Sequence, residues 1–238
     1  MLSGLAGAVV IGISLGLLGS GGSILTVPVL HYLFGQPEAA AIGGSLLVVG
    51  SIAAAGMVPH AVAHRVNWRD VAWFGVPGMA GAWFGATLAR WIPGAVQLGA
   101  FALVMFVAAA RMLATAQAAP GPDTAHPRRF AAIVTGGAAV GLISGIVGVG
   151  GGFLIVPALV LLAGVPMASA VGTSLAVITL NSSIGFVRYL DVLEARHIDL
   201  DWGTLALVTG VGIIGSLLGF RLRHAHWPLC PGVFPVFF

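Results

Sequence analysis

The sequence has no lysine, a single cysteine and little charge of either sign. Of its 238 residues 7% are charged, against about 25% in an ordinary soluble domain. That scarcity excludes a water-exposed globular surface. Cys230 alone excludes an intrachain disulfide and says nothing of redox compartment. Without lysine there is no Gly-Lys-Ser/Thr phosphate loop, and the dinucleotide pattern GxGxxG needs glycine at a position held by Phe153. The seven acids (Glu38, Asp70, Asp123, Asp191, Glu194, Asp199, Asp201) all fall at the ends of apolar runs or between them. No acid is placed to carry protons or bind cations at depth, or to serve an intramembrane hydrolase. The ten arginines lie in connections, so they set topology and do not form a nucleic-acid patch. The opening "MLSGLAGAVVIGISLG" lacks a basic n-region, and no signal peptide is expected.

What is present is apolar residues, 58% of the chain. They form runs at about 3–34, 39–60, 70–90, 94–114, 130–163, 168–190 and 201–222, boundaries good to about 2–4 residues. The runs are continuous and do not alternate in period two, which argues for helices and against a β-barrel. The expected class is an all-α polytopic membrane protein. One long polar connection, "AQAAPGPDTAHPRRF", divides it into a first transmembrane repeat at 1–115, a linker at 116–130 and a second repeat at 131–238.

The two parts repeat each other. Shifting 16–46 by 129 positions onto 145–175 makes 16 of 31 residues identical, without a gap. Gly19, Gly21, Gly22 and Pro28 fall on Gly148, Gly150, Gly151 and Pro157, and Ser45 falls on Ser174. After a five-residue insertion Trp68 matches Trp202, Gly78 matches Gly212, and Gly81 and Gly85 match Gly215 and Gly219. Nothing matches 94–114: the chain closes on "HWPLCPGVFPVFF", too short and proline-rich to span, so the second repeat reads as lacking its last span.

Both copies are broken in the same place. A single helix over 3–34 would be about 48 Å long against a hydrocarbon core of about 30 Å. Gly19, Ser20, Gly21 and Gly22 interrupt it, Ser23 follows, and Pro28 frees the carbonyl of Ile24. Gly148, Gly150, Gly151, Gly152 and Pro157 do the same in the second copy. Unpaired backbone groups are not tolerated facing lipid, so paired breaks predict one cavity between the repeats. Helices restarting there would aim free amides and positive dipole ends at a small anion. Ser20 and Ser23 add hydroxyls. The alternative for glycine is close helix packing, and that is the reading for Gly12/Gly16, Gly81/Gly85, Gly141/Gly145 and Gly215/Gly219.

Among polar residues inside the runs, Thr173 and Asn181 are eight apart and share a helical face. With Ser174 they are candidates for the site, or for interhelical hydrogen bonds. His60 and His64 read as an exposed interfacial pair, since no third or fourth metal ligand accompanies them. His31 reads as structural, and Arg90 and Arg188 as topological. If 3–34 crosses once, the repeats are parallel; if it crosses twice, they are inverted. The arginines divide seven to three on either reading, so both stay open. Length favours two passages, and inversion is the simplest way to bring the breaks together.

"GLLGSGGSILTVPVL" and "GIVGVGGGFLIVPALV", each followed by a Gly–x–Pro connection and a "GxSL" span, resemble the sulfite exporter TauE/SafE family. "HRVNWRDVAWFGVPGMAGAWFGATLA" resembles that family's segment after the loop. The likeness covers about 1–222. It implies a multi-pass permease of the bacterial inner membrane for sulfite, sulfonates or related organic anions. Its doubled motif would lie at Gly19, Gly21, Gly22, Pro28 and at Gly148, Gly150, Gly151, Gly152, Pro157, with Ser23 in place of the last glycine of the first copy. The reading is then an anion permease whose halves rock in alternating access. It needs a small anionic substrate, a lipid bilayer, no enzyme activity, no cofactor, no metal and no nucleic acid; homo-oligomers are left open. The rival is a non-transporting assembly subunit or a truncated, inactive transporter.

Overall fold

The computed structural model describes Val9, Ile11 and residues 23–117, 130–148, 151–163, 165 and 167–226. Among them every regular element is helical. α1 (Ser23–Pro28) runs into a π-helical turn, Val29–Leu33. α2 is Glu38–Val62. A short α3 (Trp68–Asp70) continues through a second π turn, Val71–Gly75, into α4 (Val76–Ala89). Then follow α5 (Gly94–Gln117), α6 (Phe130–Val147), α7 (Gly152–Ala163), α8 (Met167–Ala195) and α9 (Trp202–His226). Three stretches are long and apolar enough to cross a membrane: Glu38–Val62, Phe130–Val147 and Ser169–Ala195.

Both π turns adjoin a proline. Pro28 has no N–H for the Ile24 carbonyl, and the chain widens directly after it. Pro77 enters α4 after the other widened turn. One extra residue there moves the ring off the carbonyl four residues earlier, so α3 to α4 remains one helical run of about 33 Å at 1.5 Å per residue.

Close glycine contacts give each helix its direction. Along α2 and α8, Gly43 meets Tyr189, Gly50 meets Ser182 and Gly172 meets His60, so these helices are antiparallel. α9 runs parallel to α2, with Gly44 against Leu205, Gly56 against Ser216 and Gly212 against Ile52. α4 runs parallel to α6, pairing Phe74 with Gly137, Gly78 with Gly141 and Ala82 with Gly145. It also runs parallel to α8, pairing Gly75 with Val177 and Gly78 with Asn181. Hence α6 and α8 point the same way, and the 12-residue α7 is the return between them. The segment 130–163 is therefore two helices joined at its break.

α2 and α8 form the centre, with Ile42, Leu46, Ile52, Leu175, Ile178 and Tyr189 all buried. Large apolar side chains such as Phe84, Phe106 and Ile214 stay exposed, as suits a surface solvated by lipid. Histidine ends both central helices. His64 and His197 adopt φ of 53°, and Arg65 and Ile198 return amides to the carbonyls of His60 and Leu193. This is the C-terminal closure usually made with glycine. It corrects the expected exposed pair: His60 is buried against Gly172 while His64 lies beyond the helix, exposed. Asn67 and Asp201 then cap α3 and α9, accepting from the amides of Asp70 and Thr204.

Candidate functional site

The second break is built where its sequence predicts. α6 ends at Val147, and Gly148 and Gly151 take φ of 75° and 68°. A side chain is excluded at Gly148 twice over, since a methyl group would also overlap Ile42. The Ser45 hydroxyl donates to the Ile42 carbonyl (2.7 Å) and reaches the Gly148 carbonyl that α6 leaves open. Beyond the break the amides of Leu154 and Ile155 both donate to the Gly151 carbonyl at 3.0 Å. α7 starts at Gly152, and its first amides and positive dipole end face the break. Ser144, one turn before the end of α6, lies beside Gly151; its hydroxyl is buried and has no partner among the described residues. Pro157 sits inside α7 without ending it.

Of the first break, Gly19, Ser20, Gly21 and Gly22 lie outside the described residues, as does Gly150 of the second. Ser23 and Thr26 are fully buried at the start of α1, and each is engaged by another group. His31 donates from Nδ1 to the Gln36 carbonyl (2.9 Å), closing the turn after the π segment.

The polar residues of α8 separate into two kinds. Thr173 donates to the Ser169 carbonyl (2.7 Å) and accepts the Asn67 amide (3.0 Å), which pins the connection ahead of α3. Ser174 donates to the Val171 carbonyl at 2.8 Å. Both hydroxyls are committed to backbone. Asn181 is not: it is fully buried, and neither its oxygen nor its nitrogen has a partner among the described residues. It faces Gly78 of α4, where a methyl group would stand 2.9 Å from both atoms. The neighbouring Ser182 hydroxyl, opposite Gly50 of α2, is also buried and unpartnered, and so is Ser216 of α9, opposite Gly56. Two helices, α4 and α2, thus offer glycine to the polar side chains of α8 and α9.

Asn181 and the second break are not in one place. The break rests on Ile42, while the Asn181 layer is level with Gly50, about 12 Å further along α2 at 1.5 Å per residue. Eighteen residues of α6 precede the break, so it comes near the far end of the passage and not at its middle. Ser144, Ser182 and Ser216 were not among the residues singled out for the site; each interrupts an apolar run, which is the signal that marks them.

The arginines near this bundle are structural. Arg188 donates from Nε to the Thr87 hydroxyl (2.9 Å), pairs with Asp191 and lies 5.0 Å over the Trp83 ring. Arg196 donates to the carbonyls of Ala89, Arg90 and Ile92, a cation at the negative end of α4. Beside it Tyr189 donates to Gln97 Oε1, and Gln97 Nε2 donates to the carbonyls of Ala89 and Ile92. This end of the bundle is sealed by satisfied polar groups.

Long apolar helices that leave large apolar side chains exposed define a helical membrane protein. The comparisons narrow the class to one family. The model of the sulfite exporter TauE/SafE family matches residues 4–228, and the chain belongs to that family of membrane transporters. A probable membrane transporter protein of Xylella fastidiosa (strain 9a5c) is 36% identical over 220 residues, 89% of this chain and 82% of the relative. Another, from Methanocaldococcus jannaschii, is 29% identical over 237 residues, 92% of this chain and 86% of the relative. No solved structure matches the chain.

Proposed function

We propose that the protein is a permease of the bacterial inner membrane for small anions, sulfite, sulfonates or related organic anions, working by alternating access. The observation that carries the reading is Asn181, with Ser182 next to it and Ser216 about 9 Å further along α2 at 1.5 Å per residue: buried side chains without partners among the described residues of a transporter. A buried donor or acceptor left unsatisfied costs about 1–3 kcal/mol. A helix under no demand but packing would hold leucine there. Neutral donors can bind an anion and release it, and glycine at Gly78 and Gly50 lets the facing helices approach these side chains closely. The substrate positions proposed are Asn181 with Gly148, Gly151 and Gly152, together with Gly19, Ser20, Gly21, Gly22, Ser23 and Gly150 on the strength of the repeated motif. Thr173 and Ser174 shape the passage through the backbone they hold.

The contacts support an inverted duplication. Gly43 and Tyr189 become Gly172 and His60 when each is shifted by 129 and the helices exchanged; both pairs touch, at opposite ends of two antiparallel helices. They also support a change in what rocks. α4 of the first half is locked to α6 of the second, so the moving bodies mix the halves. Flux of labelled sulfite and sulfonates in proteoliposomes, with a cation and a neutral solute as controls, tests the reading. Anion flux that falls in Gly151→Leu is expected. Flux confined to the controls, or none, would overturn it.

A further inference from the structure

The backbones of α4 and α6 come so close that their outer edge leaves a cleft of about 400 Å³, lined by Ala72, Trp73, Val76, Pro77, Phe130 and Val134. Every one of these side chains is apolar. A smaller cleft of about 160 Å³ adjoins it, shares Trp73 and Phe130, and adds Arg69, Asp70 and Ile133. Trp73 and Phe130 stand edge to face between the two, their ring centres 4.7 Å apart.

The parallel course of α4 and α6 orients this groove. Both helical runs begin at the same end, so Arg69 and the positive end of α6 lie at the polar mouth. Val76, Pro77 and Val134 lie deeper. Aromatic side chains at the border between them match the membrane interface. Arg69 is exposed and pairs with no acid among the described residues. Asp70, the acid in the smaller cleft, is buried; its carboxylate accepts from Asn67 Nδ2 and has a further partner.

We propose that this groove binds one anionic phospholipid, an acyl chain lying along Val76, Pro77 and Val134 and the headgroup phosphate meeting Arg69. An exposed, unpaired cation above a wholly apolar trough complements an amphipathic anion, and a zwitterionic lipid only in part. The site is distinct from the Asn181 layer and does not depend on what the transporter carries.

Native mass spectrometry of the full chain, released from detergent with added phosphatidylglycerol or phosphatidylcholine, tests this. Wild type is expected to retain phosphatidylglycerol over phosphatidylcholine by about fivefold, the weight of one basic side chain near an anionic surface. Arg69→Gln should bind both lipids alike. Val76→Trp and Val134→Trp, each filling the trough, should retain neither, while Ile214→Trp on the exposed face of α9 should behave as wild type. Melting curves identify any variant that has lost its fold, and the other trough variant then decides. The proposal is overturned if wild type shows no preference, if Arg69→Gln keeps it, or if the trough variants still hold lipid. It is equally overturned if those variants instead turn a dimer into a monomer, which would give the groove to a second copy of the chain.

Discussion

Between α4 and α6 a side chain has no room. A methyl group at Gly81, Gly85, Gly137, Gly141 or Gly145 would overlap a carbonyl oxygen of the facing helix. Between α2 and α8 the glycines face side chains: Gly43 meets a tyrosine ring, Gly50 meets Ser182, Gly172 meets His60. The first seam is backbone on backbone, dry, and able to move only by coming apart. The second is filled by side chains that can change rotamer, and Asn181 and Ser182 beside it have hydrogen-bonding capacity that the protein leaves unused. Small residues in membrane helices thus serve two ends, joining backbone to backbone and seating a facing side chain, and the facing group tells which.

That contrast is tested most severely by Gly141→Leu, whose side chain must enter the Gly78 backbone. The cost should exceed about 3 kcal/mol, the upper range for ordinary overpacking, and thermal unfolding in detergent should find little folded protein. Gly50→Ala probes the other seam: its methyl would lie 3.1 Å from Ser182 Cβ. The helix preference of alanine is worth about 1 kcal/mol over glycine, so stability should change by less than that. If the two variants unfold alike, the distinction between the seams fails. Ser45→Ala removes the hydroxyl that joins α2 to the break and should cost about 1 kcal/mol. His64→Gly relieves a left-handed residue of its side chain and should raise stability by about 0.5–1 kcal/mol. The smallest effect concerns Asp201, fully exposed, whose carboxyl is held below the usual range by its bonds to the Thr204 hydroxyl and amide. Its folded value lies under its unfolded one. The cap is therefore fully present above the unfolded value, about 3.9, and is lost as pH falls through the folded value. Asp201→Asn should remove that acid dependence in a pH series of melting curves.

Much of the fold is legible in the hydropathy. The run at 39–60 is the helix Glu38–Val62, and 201–222 starts one residue before Trp202–His226. The second break was readable because glycine acts on the backbone itself, although Pro157 does not interrupt α7, and Gly81/Gly85 and Gly141/Gly145 pack as their spacing implied. Facing was not readable. A helix apolar all round carries no stripe to show which side is inward, so nothing separated buried His60 from exposed His64, or unpartnered Asn181 from Ser174, which bonds to its own helix. The direction of α6 relative to α8 was hidden too, because arginine counts are the same for one passage or two. Contact pairs settle it: Phe74 with Gly137 and Gly75 with Val177 put both helices parallel to α4.

The central claim is that Asn181 is kept for the solute at the expense of the fold. Asn181→Leu, assayed for both melting temperature and sulfite flux in the same proteoliposomes, tests it most directly. Removing an unsatisfied buried amide should leave stability unchanged or raise it, by about 1–3 kcal/mol at most, while flux falls at least about tenfold, the equivalent of 1.4 kcal/mol at the barrier. A variant that melts early and transports in proportion to the folded protein remaining would show that Asn181 serves packing, and would contradict the account.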